Sequence, residues 1–530
     1  MRILSLKIPR YKNLKDINLS FDSTLITLLV GQNGLGKSNL IEILAGIFKD
    51  LYSIREKKQY KEEASSKDSF DYSIEFECHN RIVKVDYENG DIRFYKKNIK
   101  TKVYDKISFE KFKRESNILL PNRIIGYYSG ENKRIKDLWN KYLDEKQFRQ
   151  INSYKSPLKN KYRSKIFFSE SFHSQLVLYT LFIYREHPFF REIIKYLIND
   201  ILNIDEFRKV ELLIKSPISS YEIKRKGISL LDIESDILSG VEYETFDDKN
   251  IFWGMKGEID SLLKTFLFHF IGTNSYSIYE ENKKEYFSVS LDSSDNEFLK
   301  TIYEEFPSPI TFFDVLERLF VINSLSEISI EVRKINDNEY FNFNALSEGE
   351  QQLISVLGLM AILNDEKEEI LFLLDEPDTH INPLWQRKYV NMINKCIDCQ
   401  KSKHIFLATH SPFLVQAYDE QQIDLMLFRK LEEGNIAIDI ADHTIENWRI
   451  DHVLMSPYFN LESTRPAKLD EFMQKRKHLI MKGMLSEDDK SELESLKNEL
   501  GFLPTGETIT ELESIAFINS SVNILKKEKK

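Results

Sequence analysis

Four short stretches carry residue types at spacings that could do chemistry. The first is "GQNGLGKS", Gly31 to Ser38, which fits G-x-x-x-x-G-K-[ST]. It follows the apolar run "LITLLV" and precedes "SNLIEILAGIFKD", whose apolar spacing predicts a helix. A strand entering a glycine-rich turn that opens a helix is the context in which this motif cradles phosphate. Glycines let backbone N–H groups turn inward, and the helix start adds the positive end of its dipole. Gly31, Asn33, Gly34, Gly36, Lys37, Ser38 and Asn39 are therefore candidate nucleotide-binding residues. Lys37 would reach the β- and γ-phosphates of ATP, and Ser38 would hold Mg²⁺.

The second stretch is "EEILFLLDEPDTHINP", Glu368 to Pro383. Its continuous apolar run reads as a buried strand of a parallel sheet, and such sheets place ligands at the carboxyl ends of their strands. Asp375 is expected to hold the Mg²⁺ shell. Glu376 is expected to polarise a water for in-line attack on the γ-phosphate. The third stretch, "KHIFLATHSPFLV" (Lys403 to Val415), is another apolar strand with His410 at its end, in reach of the γ-phosphate from the side. The fourth is "ALSEGEQQLIS", Ala345 to Ser355. Ser347, Gly349 and Glu350 sit at an expected helix start, where a hydroxyl and free N–H groups face outward far along the chain from the phosphate loop.

The elements that must position these residues fall into a pattern. Residues 1–30 read as strands, and "YSIEFEC", "RIVKVDY" and "DIRFYKK" as further strands with a turn at "ENGD". "RIIGYYSGENKR" (123–134) is a strand followed by a loop. From about 165 to 335 the pattern reads as mostly helical, as in "FHSQLVLYTLFIYREHPFFREIIKYLINDIL" and "IDSLLKTFLFHF". Strands and helices alternate again from 345 to about 440. The last residues read as helical, and Ser486 with Asp489 three residues later forms a capping-box pattern. No fixed repeat and no sustained heptad runs through the chain.

Composition narrows the class. With 530 residues, 42% hydrophobic and 30% charged, the chain has the make-up of a folded protein of two to four units. No apolar run approaches the roughly 20 residues of a membrane helix, and the first residues make a poor signal peptide, so a cytoplasmic location without membrane contact is expected. The net charge of −10 argues against wholesale coating of nucleic acid. The basic clusters 55–61, 96–102, 224–226 and 526–530 read as solvated faces. Three cysteines make no disulfide framework, and Cys396 and Cys399 read as helix-surface thiols rather than a zinc or redox pair.

A phosphate loop, a distant "LSEGEQ", a D-E strand end and a strand-end histidine, in that order, resemble the ABC-type ATPases. The resemblance covers residues 1–50 and 345–415 and looks like the RecF/SMC-like (AAA_21-like) branch. It implies an α/β ATPase head with a mixed P-loop sheet, flanking helices and an antiparallel β lobe. It also implies that Ser347, Gly349 and Glu350 act in trans, capping nucleotide held by a second copy, so that the chain works as a homodimer or higher homo-oligomer. "DTHINP" (378–383) would form the loop that communicates between the two sites. No glutamine loop is evident; "YYSGEN" (127–132) is the substitute, with Ser129, Glu131 or Asn132 sensing Mg²⁺ and γ-phosphate.

By the same resemblance the chain divides into four parts. Residues 1–150 hold the first part of the head with its β lobe, 151–335 a mainly helical insertion, 336–442 the second part of the head, and 443–530 a helical C-terminal cap that docks a partner. "HTIENWRIDHVLMSPYFNLESTRP" (443–466) resembles the ATPase subunit PtuA of Septu-type antiphage systems, including those carried by retrons. Trp448, Leu454, Phe459 and Leu461 would pack such a cap. The implied partners are an HNH nuclease (PtuB-like), a retron reverse transcriptase with its RNA-linked DNA, and DNA or RNA. No nuclease domain of the chain's own is expected, because no D-x-D in strand context follows His410; in the nearest stretch, "IDIADH" (438–443), Asp439 and Asp442 are three apart. Two alternatives share the head: a RecF-like repair ATPase acting on DNA without a nuclease, and an assembly scaffold that binds ATP and barely turns it over.

Overall fold

The computed structural model describes residues 1–461 except 22–24, 57–69, 99–100, 131–133, 141–164, 189, 247–248, 250, 336, 366, 398–401, 417–422, 432–434, 441–447, 457 and 460, together with residues 474, 478, 486–489, 491 and 494–495. In chain order the strands are β1 (Arg2–Tyr11), β2 (Leu14–Ser20), β3 (Ile26–Gly31), β4 (Tyr72–Cys78), β5 (Arg81–Glu88), β6 (Asp91–Lys97), β7 (Tyr104–Ile107), β8 (Arg123–Tyr128), β9 (Ile166–Ser169), β10 (Ile204–Lys215), β11 (Tyr276–Glu281), β12 (Lys284–Asp292), β13 (Leu325–Lys334), β14 (Phe341–Asn342), β15 (Ile370–Asp375), β16 (Lys403–Thr409), β17 (Ile423–Lys430) and β18 (Ile436–Ile440).

Three sheets result. The first, ordered β2-β1-β4-β5-β6-β7, is antiparallel. Along β4 every second residue, from Tyr72 to Cys78, is buried, which is the alternation of a sheet with one covered face. Asn89 and Gly90, at φ of 49° and 85°, turn β5 into β6 through the two-residue hairpin expected of "ENGD".

The second sheet carries the site. Its order is β18-β17-β3-β16-β15-β8-β9, and every pairing except β17–β18 is parallel. β3, β15 and β16 are buried at every residue, as their largely apolar runs require, with Thr27, Lys403 and His404 buried among them. The helix α1 (Lys37–Glu56) lies between this sheet and the first. Its Leu40, Leu44, Ile47, Phe48 and Leu51 share one core with Ile74 and Phe76 of β4 and with Leu371, Leu373 and Phe406 of β15 and β16.

The middle of the chain differs from the mainly helical expectation. It does hold helices at Ser171–Ile183, Glu258–Phe270 and Pro309–Val321. It also builds a third, antiparallel sheet, ordered β11-β12-β10-β13-β14. In β10 the register against β13 shifts after Ile204 and again after Phe207. Each shift inserts a residue, so Ile204, Phe207 and Val210 face inward at intervals of three, a spacing that mimics a helix.

The middle is fastened to the site-bearing sheet by a buried ion pair. Arg123, the first residue of β8, donates both terminal nitrogens to the two carboxylate oxygens of Asp314 at 2.6 Å. Glu368, just before β15, stands 3.6 Å from the Arg123 Nε. Cys396 is fully buried at the end of the helix Pro383–Cys396, correcting the surface-thiol expectation; Cys399 lies outside the described residues. The chain forms two compact units, Met1–Glu446 and Asn447–Lys530. In the second, Val453 is buried, the Leu461 N–H bonds the Leu454 carbonyl, and Ser486 and Asp489 form the expected capping box. Most of that unit lies outside the described residues. No helix among the described residues is long and apolar enough to cross a membrane.

Removing one partner of a buried ion pair strands the other charge. Asp314→Ala should therefore destabilise the chain by about 3–5 kcal/mol. Denaturant unfolding checks this, and a loss below about 1 kcal/mol would mean that Arg123 finds water or Glu368 instead.

Candidate nucleotide-binding and hydrolysis site

Adjacent parallel strands bring the dispersed motifs to one edge. Thr409 of β16 pairs with Val30 of β3, and Asp375 of β15 pairs with Ala408. His410, the phosphate loop and the D-E pair therefore emerge side by side. They line an open cavity of about 690 Å³ with Asn33, Gly34, Gly36, Lys37, Ser38, Asn39, Asp375, Glu376 and His410 on its wall. Gly36 sits at φ +96°, and a Cβ there would lie 2.8 Å from Leu14, so both conformation and space demand glycine.

The side chains form one connected set. Ser38 Oγ donates to Asp375 Oδ1 at 3.0 Å. Lys37 Nζ donates to the Gly31 and Gln32 carbonyls at 2.6 and 2.9 Å and lies 3.0 Å from His410 Nδ1. His410 Nε2 lies 2.5 Å from Glu376 Oε1. His410 Nδ1 also lies 3.2 Å from the Gly31 carbonyl, while Nε2 faces the Glu376 carboxylate, which only accepts, so Nε2 carries a proton given to Glu376.

Burial and charge set the titration. Burial pushes the Asp375 carboxyl up to about 6 and the Lys37 ammonium down to about 8. Glu376 is held below the ordinary carboxylate range, chiefly by its bond to His410. Burial also pushes Asp378 up to about 6, against the hydrogen bond it accepts from Thr409 Oγ1 at 2.8 Å. Glu376 has φ +55°, a left-handed conformation that costs a non-glycine residue about 1–2 kcal/mol. Its N–H is held by the Ala408 carbonyl at 2.8 Å.

Two hard oxygen donors, a hydroxyl at the start of α1 and a carboxylate at a strand end, face one cavity 3.0 Å apart. This donor set suits Mg²⁺, which takes few protein oxygens and keeps water and phosphate as its other ligands. Ser129 follows β8 beside Asp375; its N–H reaches the Asp375 carbonyl at 3.4 Å and its hydroxyl lies 3.0 Å from Thr379 Oγ1. Glu131 and Asn132 lie outside the described residues.

Ser347, Gly349 and Glu350 do not reach this cavity. Ser347 caps the helix Glu348–Leu353 through a capping box with Glu350, whose other oxygen accepts from Lys334 at 2.6 Å. A Cβ on Gly349 would lie 2.5 Å from the His380 carbonyl, so the helix start abuts the loop after Glu376.

Lys12, Asn13, Tyr128, Arg134 and Ile135 also line the cavity and were not read from the sequence. Asn13 donates to the Gly34 carbonyl at 2.8 Å and accepts from Asn39 Nδ2 at 2.6 Å, bracing the phosphate loop. A polar residue in a β1–β2 turn carries no motif; the close approach of Leu14 to Gly36 is visible only in three dimensions.

Residues 26–416 match the family described as "AAA domain, putative AbiEii toxin, Type IV TA system". The chain belongs to that family. That family is one of AAA-domain ATPases. No curated protein matches it. Among solved structures, an SMC head domain from Thermotoga maritima is 13% identical, with 83% of this chain and all of that chain covered and a TM-score of 0.32. The recombination mediator RecF bound to ATP is 16% identical, with 83% and 98% covered and a TM-score of 0.31. Neither likeness, at such values, bears on function.

The raised Asp375 value has a stability consequence. Its ordinary value is 3.8 and its folded value about 6, so the folded state holds the extra proton between them. Stability from this group therefore falls as pH rises from about 4 to about 6 and stays low above. Asp375→Asn should raise nucleotide-free stability at pH 8 by roughly 1–3 kcal/mol, with the gain gone near pH 4. Thermal melts at the two pH values test it, and a destabilised variant at pH 8 would contradict the assignment.

Proposed function

We propose that the chain is an ATP-driven switch that works as a homodimer or higher homo-oligomer and regulates a separate effector. The observation that carries this is the placement of Ser347 and Gly349. They form a helix start outside the chain's own cavity, whose phosphate end is open to a second copy. The Ser347 hydroxyl, which bonds Glu350 within one chain, and the N–H groups of the helix's first turn would turn to the γ-phosphate of nucleotide bound on that copy.

The hydrolysis we infer runs as follows. Lys37 leaves the Gly31 and Gln32 carbonyls for the β- and γ-phosphates, which attract its ammonium far more strongly. Ser38 and Asp375 hold Mg²⁺, which when bound neutralises phosphate charge; Ser129 helps to place it. His410 turns its Nε2 proton to the γ-phosphate. Glu376, released from that bond, regains basicity and orients the attacking water. ATP favours closure because only the closed form lets both copies contact it, a population shift rather than a push.

The effector is proposed to be an HNH nuclease of the PtuB kind, with the C-terminal segment as the docking surface. A retron reverse transcriptase, its RNA-linked DNA, and DNA or RNA would join the complex. Two features support this: the similarity of residues 443–466 to PtuA and the toxin–antitoxin wording of the family description. The four-part division of the chain belongs to the same proposal. The rival repair ATPase uses the same head and would show turnover stimulated by DNA with no nuclease bound.

Lys37→Ala should lose ATP binding. Glu376→Gln should keep binding and accumulate as an ATP-dependent closed dimer, measured by light scattering. The same Glu376→Gln protein, isolated from its host with ATP and Mg²⁺, should carry an HNH protein; generic DNA or repair proteins instead would move the assignment to the repair ATPase.

A further inference from the structure

Gln352 lies in the helix that Ser347 caps and is 3% exposed. Its amide grips both ends of the turn that carries Glu376. Nε2 donates to the Glu376 carbonyl at 3.4 Å, and Oε1 accepts from the His380 N–H at 3.3 Å. A carbonyl only accepts and an N–H only donates, so these partners fix which way the amide points. The Tyr127 side chain, near the end of β8, hydrogen-bonds the same amide. The Glu376 carbonyl also accepts from Thr379 Oγ1 at 3.0 Å. Gly349, three residues before Gln352, already abuts the His380 carbonyl. The helix start and the catalytic turn are thus joined at two points, one of them a buried side-chain amide.

Glu376 needs such restraint, because its left-handed backbone is not one that glutamate prefers. A shift of the helix would be felt first at the two groups Gln352 holds. We propose that Gln352 is a positioning residue, tying the Ser347 helix to the backbone of Glu376 so that seating Ser347 on a second copy's nucleotide alters how Glu376 is presented in this copy. The two nucleotide sites of a dimer would then be coupled through each chain's own Gln352. This rests on the dimeric ATPase proposed above.

The test replaces both amide bonds at similar volume with Gln352→Leu, and only the donor with Gln352→Glu. Four quantities are read: equilibrium ATP binding, kcat and KM, the thermal midpoint, and hydrogen exchange at the His380 amide. In Gln352→Leu we expect ATP binding within about twofold of wild type, KM little changed, and kcat down about tenfold or more, the pattern of a lost transition-state alignment. The His380 amide should exchange faster, and Gln352→Glu should fall between. Turnover and His380 protection equal to wild type in Gln352→Leu would overturn the tie alone. A joint collapse of binding and thermal midpoint would overturn it too, by showing a general packing role. Wild-type protein that stays monomeric with ATP and Mg²⁺ would overturn the dimeric reading instead.

Discussion

The insertion of β16 between β3 and β15 is the constraint on which the site depends. β3 and β16 come from distant parts of the chain, as the hydrogen bond between Thr27 and His404, 377 residues apart, marks. Parallel pairing in register sets Gly31, Asp375 and Thr409 at one edge. The Ser38–Asp375 bond and the chain from Lys37 through His410 to Glu376 follow from that alignment. Because the strands are buried at every position, the alignment is secured by burial and by the Thr27–His404 bond, and the polar groups of the site appear where each strand ends.

That arrangement places opposite demands on the same residues. Asp375 is buried enough to favour its proton, yet a cation site needs it ionised. Lys37 is buried enough to lose basicity, yet it must stay charged for phosphate. Each is relieved by the other and by what the cavity is built to receive. Glu376 shows the third compromise. It is strained in its backbone, and its carboxylate is occupied by His410. In the hydrolysis proposed above, a base held by a neighbour stays quiet until a competing anion draws that neighbour away.

Much of this was legible in the sequence because the motifs are local. "GQNGLGKS", the D-E pair and the strand-end histidine each combine their chemistry with an adjacent apolar run, so type and position were read together. Their order is what the resemblance to ABC-type ATPases rests on. What escaped was what depends on three-dimensional neighbours. The bulged strand β10 has inward residues at intervals of three and imitates a helix. Asn13 braces the phosphate loop from a turn without a motif. Gln352 lies within "ALSEGEQQLIS", but its hold on Glu376 and His380 is a contact across 24 and 28 residues that spacing does not reveal.

The central claim is that the Ser347 helix start completes the site of another copy. Mixing two variants tests this most directly. Lys37→Ala lacks phosphate binding but keeps its helix start; Ser347→Arg keeps phosphate binding but blocks its helix start. Each alone should hydrolyse no ATP. In a mixed dimer the intact phosphate loop of one chain faces the intact helix start of the other, so the mixture should regain turnover. A mixture as inactive as its components, with mixed dimers shown to form, would contradict the account.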